Sequence, residues 1–223
     1  MRILVFTGAG ISAESGIQTF RASDGLWEEH RIEDVASPDG WRRDPELVTR
    51  FYNLRRRAVL AAEPNVAHKA LAKLEAKHNV TVVTQNIDDL HERGGSSNVI
   101  HLHGEIFKVR SERNENLLLD WREDVQIGDK APDGAQLRPH VVWFGEQILG
   151  WGEASEAAFE ADCLIVVGTS AQVFPAAGLI SMFAGQQRHF IDPNVPEQLR
   201  DRFECHLSPA TVGVPPLVER LLQ

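Results

Sequence analysis

The hydrophobic positions of this chain fall in short unbroken runs rather than in alternation. Ile3-Leu4-Val5-Phe6-Thr7, Val80-Thr81-Val82-Val83-Thr84 and Cys163-Leu164-Ile165-Val166-Val167 each place apolar or β-branched residues on both sides of an extended backbone. Such runs predict strands buried on both faces, as in a parallel sheet. Residues 97–104 and 188–193 read as further short strands, and 141–146 as an extended apolar stretch. Between them the apolar spacing changes to three and four. Asp44-Pro45-Glu46 combines a capping side chain, a proline in the first turn and an acidic residue at the positive end of the helix dipole. Leu47, Phe51, Leu54, Ala58 and Ala61 follow as a core face, with Tyr52 and Arg55 side by side on the adjacent stripe. A second helix opens after Pro64-Asn65 with Val66, Ala70, Leu71 and Leu74 inward, and residues 217–222 close the chain as a third. The segment 105–139 is polar and irregular.

The chemistry is concentrated where the first strand turns into a helix. Gly8-Ala9-Gly10-Ile11-Ser12-Ala13 has the pattern Gly-x-Gly-x-x-Ala directly after a buried strand. One glycine permits the tight turn, the next lets a pyrophosphate approach the backbone, and the small third residue lets helix and strand pack closely. N–H groups at the helix start would face the phosphates. The acidic residue that a dehydrogenase carries about 20 positions on is missing; Asp24 precedes a glycine in a loop-like stretch. Ligands in such sheets bind outside the carboxyl ends of the strands, so Gln85-Asn86-Ile87-Asp88 and Gly168-Thr169-Ser170 mark the same edge. His101 and His103 share one face of an extended chain. A metal reading of this pair needs more ligands; a strand-end histidine beside Gly104 is the better candidate for a general base.

Composition narrows the partners. The formal net charge is −9 and the longest basic block is Arg55-Arg56-Arg57, which argues against nucleic acid. No apolar run is long enough for a membrane span, and Met1 lies one residue from the first strand with no leader before it. The two cysteines, Cys163 and Cys205, make neither a disulfide framework nor a four-thiolate site. A cytoplasmic location is expected, with no membrane and no nucleic-acid partner.

Taken together these motifs make the chain resemble the sirtuins, the NAD-dependent protein-lysine deacylases. The matching residues are 8–17, Thr19-Phe20-Arg21, 84–88, His101-Leu102-His103-Gly104, Val142-Trp143-Phe144-Gly145-Glu146 and Gly168-Thr169-Ser170, in family order over essentially the whole chain. The likeness is greatest to short bacterial members of the class that prefers acidic acyl groups, in which a Tyr and an Arg three apart read the acyl carboxylate, as Tyr52 and Arg55 would here.

The resemblance implies an α/β fold, a Rossmann-like parallel sheet with helices on both faces plus a smaller inserted domain. Residues 1–26, 65–105 and 140–223 would form the first, and 27–64 with 106–139 the second. It implies NAD as cofactor, held by Gly8, Ala9, Gly10, Ile11, Ser12, Glu14, Ser15, Thr19, Phe20, Arg21 and Trp27 around pyrophosphate and nicotinamide ribose. Gln85, Asn86, Ile87 and Asp88 would serve ribose and nicotinamide, and Gly168, Thr169 and Ser170 the adenosine side. Phe190, Ile191, Asp192 and Ala210 would flank adenine. His103 would be the general base, with Asn86 beside it. Residues 142–146 would pair with the backbone of an acylated-lysine substrate as an added strand. The expected reaction strips succinyl, malonyl and acetyl groups from lysine in proteins or peptides, giving nicotinamide and O-acyl-ADP-ribose. Alternatives are a deacetylase without acidic-acyl preference, a mono-ADP-ribosyltransferase and a non-catalytic NAD sensor.

The sequence departs from the family at one place. Most sirtuins hold a structural zinc with two cysteine pairs in the small domain; Ser111 and Ala131-Pro132-Asp133-Gly134 stand at those positions here. No zinc and no metal ligand set are expected, and Phe107, Leu117, Leu119, Trp121 and Ile127 should hold the small domain instead.

Overall fold

The computed structural model describes residues 1–18, 26, 27, 30–172, 174 and 177–223; for 26 and 27 only the backbone is described. The strands are β1 (Arg2–Thr7), β2 (Leu26–Trp27), β3 (His30–Arg31), β4 (Asn79–Thr84), β5 (Val99–His101), β6 (Gly104–Ser111), β7 (Leu118–Asp120), β8 (Leu137–Val141), β9 (Cys163–Val167), β10 (Gln187–Ile191) and β11 (Glu204–His206). The helices are α1 (Gly10–Ala13), α2 (Ile32–Val35), α3 (Pro38–Arg43), α4 (Pro45–Ala61), α5 (Val66–Lys73), α6 (Leu90–Arg93), α7 (Trp151–Glu160), α8 (Gly178–Met182), α9 (Glu197–Arg200) and α10 (Ala210–Leu221).

The unbroken apolar runs become the middle of a six-stranded sheet, ordered β11-β10-β9-β1-β4-β5, in which every neighbouring pair is parallel. Both faces are buried. Ile3, Val5, Val82, Ile165 and Val167 pack with Leu71 of α5 and Val214 and Leu217 of α10. Leu4, Phe6, Val83, Leu164 and Val166 face Ala154 and Ala158 of α7 and Leu179 of α8. Register then fixes function. Thr7 lies level with Thr84 on one side and Val167 on the other, and Thr84 with His101. The segments that leave β1, β4, β5 and β9 therefore emerge together at one edge.

The remainder of the chain builds a second, smaller layer. The stretch read as irregular contains an antiparallel sheet, β7-β6-β8. β6 and β8 are largely buried, yet both mix charged and polar residues among the apolar ones (Lys108, Arg110, Arg138, His140), and β7 is short and mostly exposed, so no unbroken apolar run announces them. Val141 ends β8, and a turn follows at Gly145 (φ +94°) rather than further strand. β11 escaped notice for the same reason: three residues at a sheet edge carry little pattern. The closing helix starts at Ala210, not Leu217; Pro215 and Pro216 each remove an N–H from its ladder, yet burial of Ala210, Gly213, Val214, Leu217 and Val218 holds it.

Helix α4 begins as expected, with Asp44 accepting from the Leu47 N–H at 2.9 Å, but its inward face differs. Leu54 is 53 % exposed, and the buried stripe is Val48, Phe51, Tyr52, Arg55, Arg56 and Val59. Polar side chains are tolerated inside because they are bonded: Arg56 donates to the Ile106 carbonyl (3.1 Å) and to Asn53 (2.7 Å), and Asn53 bonds both ways with the Val125 backbone (2.8 and 2.9 Å). Likewise Val66 on α5 is exposed while Ala67 and His68 turn inward.

In the small layer, Val109, Val125, Ala131 and Leu137 form the core with Leu119 and Trp121 against them; Phe107 joins the α4 cluster and Ile127 is exposed. The two places where cysteine pairs would stand are joined directly. Ser111 donates to Asp133 (2.7 Å) and accepts from the N–H groups of Arg113 and Asn114 (3.1 and 3.3 Å). Among the described residues, no helix is long and apolar enough to cross a membrane.

Candidate active site

Two glycine turns meet at the strand ends. The Gly8 N–H donates to the Val167 carbonyl (3.1 Å) and the Gly10 N–H to the Gly168 carbonyl (2.8 Å). A Cβ on Gly8 would stand 2.7 Å from the Thr169 Cβ, and one on Gly10 would stand 2.7 Å from the Gly168 Cα. The missing Cβ atoms thus admit the neighbouring turn, where the sequence pattern suggested a pyrophosphate. The N–H groups of Gly10, Ile11 and Ser12 are also spent inside the protein, on Gly168, Gly8 and Ala9, because α1 is a single turn laid against the second loop. Gly168 needs its own glycine twice over: φ is +62°, and a Cβ would meet the Ile11 nitrogen at 2.3 Å. The result is a floor of bare backbone with Gln85 and Thr169, bonded to each other at 3.0 Å, on its rim.

Beside this floor lies a buried polar chain. Asn86 donates to the Ser12 hydroxyl (3.2 Å), which donates to Asp88 (3.0 Å). Burial pushes the Asp88 carboxyl up to about 6, against the pull of the Leu90 N–H and Ser12. Asn65, which caps α5 by accepting the Ala67 N–H (2.9 Å), also reaches back to the Ile11 carbonyl (2.8 Å) and Ser15 (3.0 Å), tying the first loop to α5. Under the chain, Thr7 donates to Thr84 (2.8 Å) and shares a hydrogen bond with His91 (2.9 Å). These supporting residues were invisible in the sequence because their partners are distant along it; Asn65 alone gave a signal, through its place after Pro64.

The two histidines separate into different roles. His103 Nδ1 donates to the Gln85 carbonyl at 2.9 Å, which leaves the Nε2 lone pair as its basic site. Burial lowers its pKa, partly offset by that carbonyl, so the ring is neutral near pH 7. His101 has both nitrogens engaged, with the Asn86 carbonyl at 3.0 Å and Glu92 at 2.7 Å. Burial opposes its charge, but Glu92 and the carbonyl outweigh this and raise its pKa. It fixes the backbone of Asn86. The cleft of about 380 Å³ that Asp88 and His101 line with Glu92 and Arg122 includes neither glycine turn nor His103, so it is separate from the cradle.

Other expected residues are held in the core or in the surrounding loops. Phe190, Ile191, Ile11 and Ala210 have their side chains in the core; Ile191 serves through its carbonyl, which accepts the Gly168 N–H at 3.0 Å. Asp192 is half-buried and caps the Asn194 N–H (2.7 Å). Glu14 accepts from the Thr211 N–H and hydroxyl (3.1 and 2.7 Å), fastening the first loop to α10. Ala9 and Ser15 are half-buried at the loop and Ser170 is exposed. Ile87 accepts the Ile106 N–H (2.8 Å). Thr19, Phe20 and Arg21 lie outside the described residues, as does the side chain of Trp27.

The segment 142–146 crosses between the two layers. The Val142 N–H donates to the His103 carbonyl (2.9 Å), the Phe144 N–H to the Ala36 carbonyl (3.0 Å), and the Trp143 N–H to the Glu146 carboxylate (2.9 Å). The Glu146 N–H goes to the Trp143 carbonyl (2.9 Å). A strand laid alongside cannot draw on these four donors. The Glu146 carboxylate is held by Arg138 (2.7 and 3.1 Å) and Arg110 (3.1 Å), which keeps its pKa low against burial. Arg138 stacks on the Trp143 ring at 3.3 Å, and the Trp143 indole N–H donates to the Tyr52 hydroxyl at 3.1 Å. Tyr52 is fully buried, and burial raises its pKa, so the phenol keeps its proton. The Arg55 guanidinium lies 5.1 Å from the Phe51 ring centroid and donates to the Gln18 carbonyl (3.4 Å). His103 and Tyr52 thus sit at the two ends of a short link through Val142 and Trp143.

Comparison with known proteins agrees with this geometry. Residues 8–175 match the Sir2 family model. The NAD-dependent protein deacylase of Shigella flexneri is 53 % identical over 100 % of this chain and 84 % of its own length; that of Helicobacter pylori is 47 % identical over 99 % and 97 %. A Sir2 homologue solved with NAD superposes with a TM-score of 0.87 at 40 % identity, covering 99 % of this chain and 89 % of that one. A Sir2 complex with a p53 peptide and NAD+ gives 0.80 at 30 %, covering 99 % and 91 %. The chain belongs to the Sir2 family.

Proposed function

We propose that this chain is an NAD-dependent protein-lysine deacylase that removes succinyl and malonyl groups, and acetyl groups as well, yielding nicotinamide and O-acyl-ADP-ribose. When bound, the dinucleotide supplies an electrophilic ribose carbon and nicotinamide as leaving group. Gly8, Gly10 and Gly168, whose missing Cβ atoms let the two loops pack together, would seat it, with Gln85 and Thr169 beside them as polar contacts. Asn86 and Asp88 are already ordered through Ser12; Asn86 would contact the ribose and Asp88 the nicotinamide amide. His103 Nε2 takes the proton of a ribose hydroxyl.

The observation that carries the reading is the His103 tautomer. Its Nδ1–H is fixed on Gln85, so Nε2 is a neutral base one residue from the Val142 link to Trp143 and Tyr52. Arg55 and Tyr52 on α4 are the pair that would receive an acyl carboxylate, Arg55 in a bidentate manner and Tyr52 as an O–H donor. A carboxylate left unpaired in this buried region is costly; a neutral acetyl group needs neither residue.

The test is mass spectrometry of matched acetyl-, malonyl- and succinyl-lysine peptides with and without NAD. Arg55→Met should lower kcat/KM for the succinyl peptide roughly 30-fold or more, the factor that about 2 kcal/mol of lost charge pairing corresponds to, with acetyl turnover changed little. Equal loss on both peptides overturns the acidic-acyl assignment. Label from NAD that stays on protein in place of O-acyl-ADP-ribose would indicate an ADP-ribosyltransferase instead.

A further inference from the structure

A cluster at the far edge of the sheet plays no part in this chemistry. β10 and β11 run parallel, with His189 level with Glu204 and Ile191 level with His206. Glu204 and His206 are two apart on one strand and so share a face, and the register brings His189 onto it. Cys205 between them points the other way, against the opposite core. One ligand atom from each of His189, Glu204 and His206 lies within 4.8 Å of the others. His189 Nδ1 is 3.3 Å from Glu204 Oε2, and His206 Nε2 is 3.5 Å from Glu204 Oε1.

The state of His189 distinguishes this cluster from an ordinary ion pair. It is 3 % exposed, yet among the described residues neither ring nitrogen has a hydrogen-bond partner, and His206 Nε2 also lacks one. Buried imidazoles ordinarily find partners. His189 Nδ1 and His206 Nε2 instead face the two oxygens of one carboxylate, 3.3 Å from Oε2 and 3.5 Å from Oε1, and one ligand atom from each residue lies close enough to the others to share a cation at ligand distances of about 2.0–2.2 Å. Glu204 is half-exposed, so the site has an entrance. One group opposes a cation here: Arg220 of α10 donates to Glu204 Oε1 at 2.6 Å, but its side chain is 52 % exposed and free to swing outward.

We infer that His189, Glu204 and His206 form a binding site for one divalent transition-metal ion of the zinc class, with a water molecule as fourth ligand. Two imidazoles and one carboxylate select Zn²⁺, Co²⁺ or Ni²⁺ over Mg²⁺ or Ca²⁺, which prefer oxygen. The site is distinct from the cysteine positions of the small layer and pins β10 to β11.

The test uses the full chain, stripped with a chelator and desalted. Zn²⁺ titrated against a chromophoric competitor should bind with one equivalent. His206→Asn, at a half-buried position, should weaken binding at least tenfold, and His189→Gln should do the same if it folds. Arg220→Gln should tighten binding several-fold by removing the competing cation. Co²⁺ should give tetrahedral d–d bands with no thiolate charge-transfer band. Zn²⁺ affinity unchanged in His206→Asn, weaker binding in Arg220→Gln, or a thiolate band in the cobalt spectrum would each overturn the site; the residues would then be an ion-pair cluster only.

Discussion

At the scale of the residue, the site depends on two acid–base groups moved in different senses by the same burial. For His103, desolvation disfavours the imidazolium, so the folded pKa lies below the unfolded value of about 6.5. The stability this provides is present above the unfolded pKa and is lost as pH falls through the folded one. The kinetic counterpart is that kcat/KM declines on the acid side of the ordinary imidazole value of about 6.5; a pH–rate profile that bends above 6.5 would contradict the neutral base. For Asp88, burial raises the pKa from 3.8 to about 6. A raised value means the favourable contribution is complete below the unfolded pKa and disappears as pH rises through about 6. At pH 8 the carboxylate is therefore a liability kept for function. Asp88→Asn should gain about 1–2 kcal/mol at pH 8 and little at pH 4, less than the full shift implies because one accepting oxygen is lost to Ser12 or Leu90. The same variant should lose most NAD-dependent turnover. Urea unfolding at the two pH values, with peptide assays alongside, checks both halves.

At the scale of the element, the two glycine turns act as one part. Neither Gly8 nor Gly10 has positive φ; they are glycine because a second backbone passes within contact distance. Gly10→Ala places its Cβ against the Gly168 Cα and carbonyl, which cannot turn aside as a side chain could. Destabilisation of about 1–3 kcal/mol is expected from overpacking, with NAD affinity falling as the floor lifts, measurable by denaturant unfolding and calorimetry. The same element separates what local pattern reveals from what it hides. Gly-x-Gly after an apolar run points to a turn that a pyrophosphate could approach; what the linear pattern does not contain is the second loop, at Gly168, packed against Gly8 and Gly10. In α4 the apolar residues alone put Leu54 and Ala58 inside, whereas Arg55, Arg56 and Asn53 are the buried ones. Hydropathy ranks a residue by its own transfer cost, and these costs are cancelled by partners at Ile106 and Val125 that lie far away in the chain.

At the scale of the molecule, the parallel sheet gathers segments from four strands at one edge, and the small layer hangs its own strand ends from them through Val142 and His103. Cofactor binding should report on this whole arrangement. At a concentration of NAD about 100 times its Kd, linkage adds about 2.7 kcal/mol. For a chain of this size that corresponds to roughly 5–10 °C in Tm. No shift with NAD in a thermal melt would mean the cradle does not receive it.

The buried strands themselves, the strand-end positions of Gln85, Asn86, Asp88 and His103, and the helix start at Asp44 were set by local pattern, since each depends on neighbours within a few residues. Long-range pairing decided the rest. Only the parallel register puts Thr7, Thr84, Val167 and His101 level. Contact between the layers turns Tyr52 toward Trp143, folding of the small layer joins Ser111 to Asp133, and the pairing of β10 with β11 sets His189 beside Glu204 and His206. Those relations join residues far apart in the chain, Tyr52 and Trp143 by 91 positions and Thr7 and Val167 by more. Burial and hydrogen-bond satisfaction select them together, and a linear reading of polarity does not contain them.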